Sequence, residues 1–207
     1  MKRGYYFMKM MRDSSEAEMV FEFLRTEFYS DRFSEQLKKA MNSLSIDDQI
    51  LLSANLENKE ENTLRKELLG EFRGYGRNKE LFENFPSQIE WSICSFSKDD
   101  LEKIKYIDYS YWNELSAGTR SPLIAAKAVK EGATIYGQST EGFLNAAKYL
   151  EDGGLFQNMI FLTADFNSFV IVEGHLRMTA YALTPNHFDN IFCIVGRCSK
   201  SDFDSWA

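Results

Sequence analysis

FVIVEGHLRMTAY, the segment from Phe169 to Tyr181, predicts a strand, a sharp turn and a short helix in immediate succession. Its first four residues are apolar, as in a buried strand, and the composition from His175 to Leu183 is typical of a helix. Gly174 stands between them, where a residue without a side chain permits the turn. Because the first turn of a helix has free N–H groups and a positive dipole end, the segment predicts an anion-binding site.

Four side chains around this turn are candidate site residues. Arg177 lies in the first helical turn, where its planar charged fork suits phosphate; the alternative is an ion pair with Glu173. Glu173 either positions Mg²⁺ or accepts a proton from an attacking hydroxyl, or only satisfies the positive helix end. His175 either bonds phosphate and shuttles a proton, or is a half-buried histidine bonded to backbone. Thr179 either faces the ligand or packs the helix.

A second group of candidates precedes a helix that Pro122 is expected to start. Ser116, Gly118, Thr119 and Arg120 combine small hydroxyl residues, a glycine and a cation, which is a composition suited to a second anion site. The alternative is an ordinary loop before a helix with a surface arginine. We therefore include Ser116, Thr119 and Arg120 among the predicted phosphate-binding residues.

The pattern Gly174-x-x-Arg177-x-x-Ala180 after an apolar strand resembles the Gly-x-x-Arg-x-x-Ala box of the ParB/sulfiredoxin superfamily. The preceding residues 146–162 are similar to that family's helix, Gly-Leu-x-Gln turn and strand, and residues 191–195 are similar to the strand after its box. The resemblance extends over less than half of the chain.

The resemblance implies an α+β or α/β fold, namely a small mixed-sheet domain at residues 88–207 preceded by a helical region at residues 1–87. It also implies that the box cradles the phosphates of a nucleotide, as with CTP in ParB and ATP in sulfiredoxin. The expected cofactor is therefore ATP or CTP with Mg²⁺, and the expected partner is a nucleotide or a phosphorylated small molecule.

Two positions differ from the pattern of particular branches. His175 occupies the position of sulfiredoxin's catalytic cysteine, so reduction of a sulfinic acid is not expected. The ParB-like free serine kinases carry Asp-Gly-His-His-Arg, which Glu-Gly-His-Leu-Arg at residues 173–177 approaches. Leu176 replaces a histidine that helps to hold phosphate in those relatives.

Composition excludes several other classes of protein. The net charge of −7 argues against a nucleic-acid binder that depends on neutralising phosphates. Cys94, Cys193 and Cys198 match no zinc spacing and are expected to be buried thiols, so no zinc is predicted. The apolar run within residues 1–8 is too short for a signal peptide, and no stretch approaches a membrane span of about 18 residues. A cytoplasmic location without a membrane partner is the resulting expectation.

The rest of the chain is expected to divide at Pro86. Before it, apolar residues recur at helical spacing, so we expect helices throughout residues 1–85. After it, alternation predicts a strand at residues 89–96, and Ser97 with Asp100 predicts a capping box that opens a helix with Leu101, Ile104 and Ile107.

Two functions are compatible with these patterns. The first is a ParB-like nucleotide- or phosphate-binding protein that acts as a phosphotransferase on a small hydroxylated molecule, with Glu173 or His175 in the catalytic role. The alternative is a non-catalytic interaction module that keeps the ParB-like scaffold and docks a protein partner through its N-terminal helices.

Overall fold

The computed structural model describes residues 8–207, which form two compact units. One unit comprises residues 14–91 and 198–206; the other comprises the described residues up to Asp13, residues 92–197 and Ala207. Residues 1–7, on which the signal-peptide argument partly depends, lie outside this description. Within the described part of the chain, no helix has the length and apolar character that crossing a membrane requires.

The first unit is helical because helix-capping residues and apolar residues at helical spacing occur in the same segments. Ser15 accepts a hydrogen bond from Glu18 N at 3.1 Å, and Asn58 accepts from Glu60 N at 3.0 Å, so both side chains satisfy free donors at helix starts. Gly74, at φ +82°, ends the last of the four helices. The bounds are α1 (Glu16–Phe28), α2 (Ser34–Ser43), α3 (Gln49–Leu52) and α4 (Lys59–Arg73), with a further C-terminal helix at Lys200–Trp206.

A buried arginine connects two of these helices. Arg65 of α4 is fully buried, and its Nε donates to the carbonyl of Ile50 at 2.9 Å in α3. Its Nη2 pairs with Glu61 at 2.5 Å. Burial lowers the pKa of Arg65 because removal from water disfavours the charged form, and the neighbouring Glu61 opposes that shift. The C-terminal helix is attached to the same unit by Trp206, whose Nε1 donates to the carbonyl of Leu81 at 2.9 Å.

The second unit is built on a six-stranded mixed sheet, so the chain is a mixed α/β protein. The strands are β1 (Lys9–Asp13), β2 (Glu90–Phe96), β3 (Ile104–Lys105), β6 (Met159–Thr163), β7 (Phe169–Glu173) and β8 (Ile191–Arg197), and a separate two-stranded ribbon contains β4 (Thr134–Ile135) and β5 (Gln138–Ser139). The order across the sheet is β1-β2-β8-β6-β7-β3. Strand β6 is antiparallel to β7 and parallel to β8, while β3 is parallel to β7.

Four helices accompany this sheet: α5 (Ser110–Leu115), α6 (Pro122–Lys130), α7 (Glu141–Glu151) and α8 (His175–Leu183). Helix α8 packs against α6 and α7 and joins β7 to β8. The predicted strand, turn and helix at residues 169–183 are therefore confirmed, and the return strand β8 lies beside β6. Apolar side chains from strands and helices form one core, whose aromatic members include Phe96, Phe161 and Phe169.

Two sequence expectations were wrong in part, and one element was not predicted. The N-terminal region is not helical throughout, because Lys9–Asp13 forms the exposed edge strand β1, whose burial has no alternation. The capping box of Ser97 and Asp100 forms as predicted, but it opens a 3-10 helix that ends at Lys103, and Ile104 joins the sheet instead. The C-terminal helix, in which only Phe203 and Trp206 are buried, was not predicted.

Phe96→Ala should lower the free energy of unfolding by about 3–5 kcal/mol, because it empties a buried aromatic position. The Phe96 ring packs edge-on against Phe161 at 5.3 Å and Phe169 at 5.0 Å and is 1% exposed. Phe192→Ala is the matched control, since that side chain is 47% exposed. Urea unfolding followed by circular dichroism measures both, and equal losses would contradict this assignment of the core.

Candidate functional site

The turn between β7 and α8 requires glycine. Gly174 has a φ of +106°, and its carbonyl accepts the first hydrogen bond of α8, from Met178 N at 2.8 Å. A Cβ atom at this position would lie 2.6 Å from Met159 Cγ, so the space is also filled. Gly174 has no side chain that could cap α8. The acceptors for the free N–H groups of the first turn are therefore left to the tertiary structure.

Arg177 is buried, with 5% exposure, and bonds to protein groups. Its Nη1 donates to the carbonyls of Gln157 at 2.7 Å and Asn158 at 3.1 Å, and its Nη2 forms an ion pair with Glu173. The guanidinium therefore holds together the turn before β6, the end of β7 and the start of α8. Gln157 takes part through its backbone. The alternative in which Arg177 pairs with Glu173 thus describes the observed geometry, and phosphate binding by Arg177 stays a prediction.

The loop at residues 116–120 is held by its own hydroxyl groups. Ser116 Oγ accepts from Arg120 N at 2.8 Å and donates to the carbonyl of Trp112 at 2.7 Å. Thr119 Oγ1 donates to the carbonyl of Ser116 at 2.7 Å. Arg120 has a φ of +57°, a conformation that a residue with a side chain adopts at some cost. The Ser116 and Thr119 hydroxyls thus stabilise the loop conformation, while the Arg120 side chain extends out of the loop to Tyr106.

Tyr106 joins this loop to α8, and no sequence pattern marked it as a site residue. Tyr106 N donates to the carbonyl of Arg120 at 2.8 Å, and Arg120 Nε donates to the carbonyl of Tyr106 at 2.8 Å. Its phenolic hydroxyl shares a hydrogen bond of 2.7 Å with Thr179 Oγ1, which donates to the carbonyl of His175 at 2.8 Å. The two predicted groups of site residues are thereby brought into one network.

Aromatic rings cover one side of His175. The imidazole lies nearly parallel to the Trp112 ring at 5.0 Å and to the Tyr106 ring at 6.0 Å. Tyr106 and Trp112 are themselves stacked at 4.5 Å. His175 is half-buried, as in one of the two predicted alternatives, whereas the neighbouring Leu176 is 45% exposed. These stacked rings pack on one another.

The electrostatic centre of the network is Arg120. Its Nη2 is buried and has no hydrogen-bond partner among the residues that the structure describes. Burial lowers the pKa of Arg120 because it removes water from the charged group, and the nearby carboxylate of Asp108 acts in the opposite direction. A second cation is close to the same loop: Lys105 Nζ donates to the carbonyl of Thr119 at 3.3 Å. The sequence did not indicate Lys105.

The network does not include Tyr181, His187 or the three cysteines. Tyr181 is 3% exposed, and burial raises its pKa to about 12, as expected for a core residue. His187 is exposed in a 3-10 turn at Pro185–His187. All three cysteines are buried and none forms a disulfide, which confirms the prediction for the thiols. In residues 8–207, no three His, Cys, Asp or Glu side chains are grouped so that they could hold a metal ion.

Comparison of the chain with protein-family models, with curated proteins and with solved structures found no match. The candidate site is therefore defined by its own geometry. It consists of the 116–120 loop and the start of α8, joined by Tyr106.

Gly174→Ala should destabilise the protein for two separable reasons. The left-handed backbone costs about 1–2 kcal/mol, and crowding against Met159 adds about 1–3 kcal/mol. Gly153→Ala is the matched control, because Gly153 also has a positive φ, +87°, but its Cβ would meet nothing within 4 Å. We expect the lower unfolding midpoint for Gly174→Ala in thermal denaturation; equal midpoints would show that the contact with Met159 relaxes without cost.

The thiols should react slowly with Ellman's reagent at about pH 8, because the thiolate is the reactive form. Burial raises the pKa of Cys94 and Cys193, and burial followed by the charge of Asp202 raises that of Cys198 to about 11. The same protein in urea should release three equivalents rapidly, one for each cysteine. A thiol that reacts within seconds in the native protein would contradict this.

Proposed function

We propose that the chain binds the phosphate group of a nucleotide or of a phosphorylated small molecule, where the 116–120 loop meets the start of α8. The observation that carries this proposal is the Nη2 atom of Arg120, a half-buried residue: this one atom is buried and has no hydrogen-bond partner among the described residues. Buried polar groups are nearly always hydrogen-bonded, and a partner in the form of an anion satisfies both the donor and the charge.

The surroundings of Arg120 favour an anion with more than one negative charge. Lys105, at the end of β3, donates to the carbonyl of Thr119 in the loop, so two cations and the single carboxylate of Asp108 lie in this region. The positive end of α8 contributes to the same network through Thr179 and His175. A terminal phosphate matches this arrangement better than a carboxylate, since it presents three oxygens to several donors.

In this proposal Arg177 shapes the site. Its bonds to Gln157, Asn158 and Glu173 fix where β7 ends and α8 begins. The ParB/sulfiredoxin-like fold belongs to the same proposal. It is supported by the order of a strand, the Gly174 turn, helix α8 and the return strand β8, the order expected for that superfamily.

A phosphotransferase reaction at this site, with ATP or CTP and Mg²⁺, would require a base for a small hydroxylated acceptor. Of the two predicted catalytic residues, Glu173 is committed to the ion pair with Arg177. The His175 imidazole belongs to the network around Tyr106, on the other face of α8 from Arg177. We therefore propose His175 for that role.

The second candidate function is the interaction module without nucleotide binding. It is favoured by the bonds that both terminal nitrogens of Arg177 make to protein acceptors and by exposed apolar side chains in the sheet unit. Leu155 is 84% exposed, and the neighbouring Tyr149, which donates to its carbonyl, is 48% exposed.

Isothermal titration with ATP, CTP and GTP, each with and without Mg²⁺, tests the leading proposal. We expect at least one to bind, and Arg120→Gln to weaken it about 10–100-fold, as for loss of a hydrogen bond to a charged group of about 1.5–3 kcal/mol. Arg197→Gln is the control, because Arg197 is an exposed arginine of the same unit whose guanidinium lies over Phe166.

Two other outcomes are informative. If Arg177→Lys abolishes binding and Arg120→Gln leaves it unchanged, the phosphate binds to Arg177 and not to Arg120. The absence of binding by every nucleotide and by inorganic phosphate would refute the leading proposal and favour the interaction module.

A further inference from the structure

Tyr106 has three connections that differ in kind. Its main chain exchanges two hydrogen bonds with Arg120, each of 2.8 Å. Its ring is stacked on Trp112 and His175. Its hydroxyl is bonded at 2.7 Å to Thr179 in α8. Tyr106 and Thr179 are both fully buried.

We propose that Tyr106 is a positioning residue for phosphate binding, whose hydroxyl fixes the place of Arg120 relative to the start of α8. This role rests on the proposed function, and it goes further because it concerns a residue that does not itself contact the ligand. The hydroxyl reaches Arg120 only through the Tyr106 main chain.

The geometry explains how the hydroxyl of Tyr106 controls the position of Arg120, which is bonded to the Tyr106 main chain. Because both the N–H and the carbonyl of Tyr106 are bonded to Arg120, the arginine follows any displacement of the Tyr106 backbone. The ring cannot turn freely, since parallel rings cover it. The bond to Thr179 therefore sets the distance between the loop and the helix. A ligand that contacts Arg120 and the first turn of α8 together depends on that distance.

The hydroxyl remains protonated and available as donor or acceptor at neutral pH. Burial raises the pKa of Tyr106, and the hydrogen bond to Thr179 partly opposes that shift. Thr179 Oγ1 donates to the carbonyl of His175, so the phenolic hydroxyl is the natural donor in the shared bond. The chain of bonds then runs in one direction, from Tyr106 through Thr179 to the helix start.

Tyr106→Phe removes only the hydroxyl and keeps the ring and the main-chain bonds. We expect it to raise the Kd for the nucleotide that wild type binds roughly fivefold, the effect of one buried hydrogen bond. In an Arg120→Gln background the same change should alter Kd by less than about twofold, because the positioned group is gone. Tyr149→Phe is the control: it also loses one hydroxyl bond, at 3.2 Å to the Leu155 carbonyl, but lies outside the network.

This double-mutant cycle, measured by isothermal titration, separates positioning from simple destabilisation. An equal loss of affinity in both backgrounds, or a Kd for Tyr106→Phe within twofold of wild type, overturns the positioning role and leaves the proposed function standing. If wild type binds no nucleotide and no inorganic phosphate, both fail. Thr179→Val, which removes the partner hydroxyl, provides the same comparison if Tyr106→Phe does not fold.

Discussion

The buried guanidinium of Arg177 is the constraint on which the sheet unit depends near its candidate site. It bonds to the carbonyls of Gln157 and Asn158 and pairs with Glu173, so three separate stretches of chain meet at one charge. Removing one partner from such a buried pair typically costs about 3–5 kcal/mol, because the other charge is left without compensation. Strand β6, strand β7 and helix α8 are thereby fixed relative to one another before any ligand is considered.

Helix periodicity places the candidate site residues of α8 on two faces of the helix. Arg177 pairs with Glu173 at the end of β7, whereas His175 and Thr179 are each two positions from Arg177 in α8 and lie on another face of that helix. The face with Arg177 therefore stabilises the fold, and the face with Thr179 is connected through Tyr106 to Arg120. In the proposed function the anion is bound by Arg120, a residue outside the Gly-x-x-Arg-x-x-Ala box.

Local sequence was sufficient wherever a short-range rule decided the structure. The caps at Ser15 and Asn58, the left-handed end at Gly74 and the strand-turn-helix around Gly174 all follow from side chains within a few residues. Prediction failed where contacts between residues distant in sequence decided the structure. Strand β1 has no buried alternation because it lies at the sheet edge, and Ile104 leaves the predicted helix because it pairs with Phe169.

The sequence by itself determined the strand, turn and helix around position 174, the need for glycine there and the identity of the charged groups, since these depend on backbone preference and chemical type. Only the tertiary structure decided which charges are satisfied. It gave Arg177 three protein acceptors and left Arg120 Nη2 without one among the described residues, and it placed Tyr106 against Thr179 across 73 positions of the chain. Hydrogen-bond satisfaction depends on atoms that meet through folding, and no local pattern specifies that encounter.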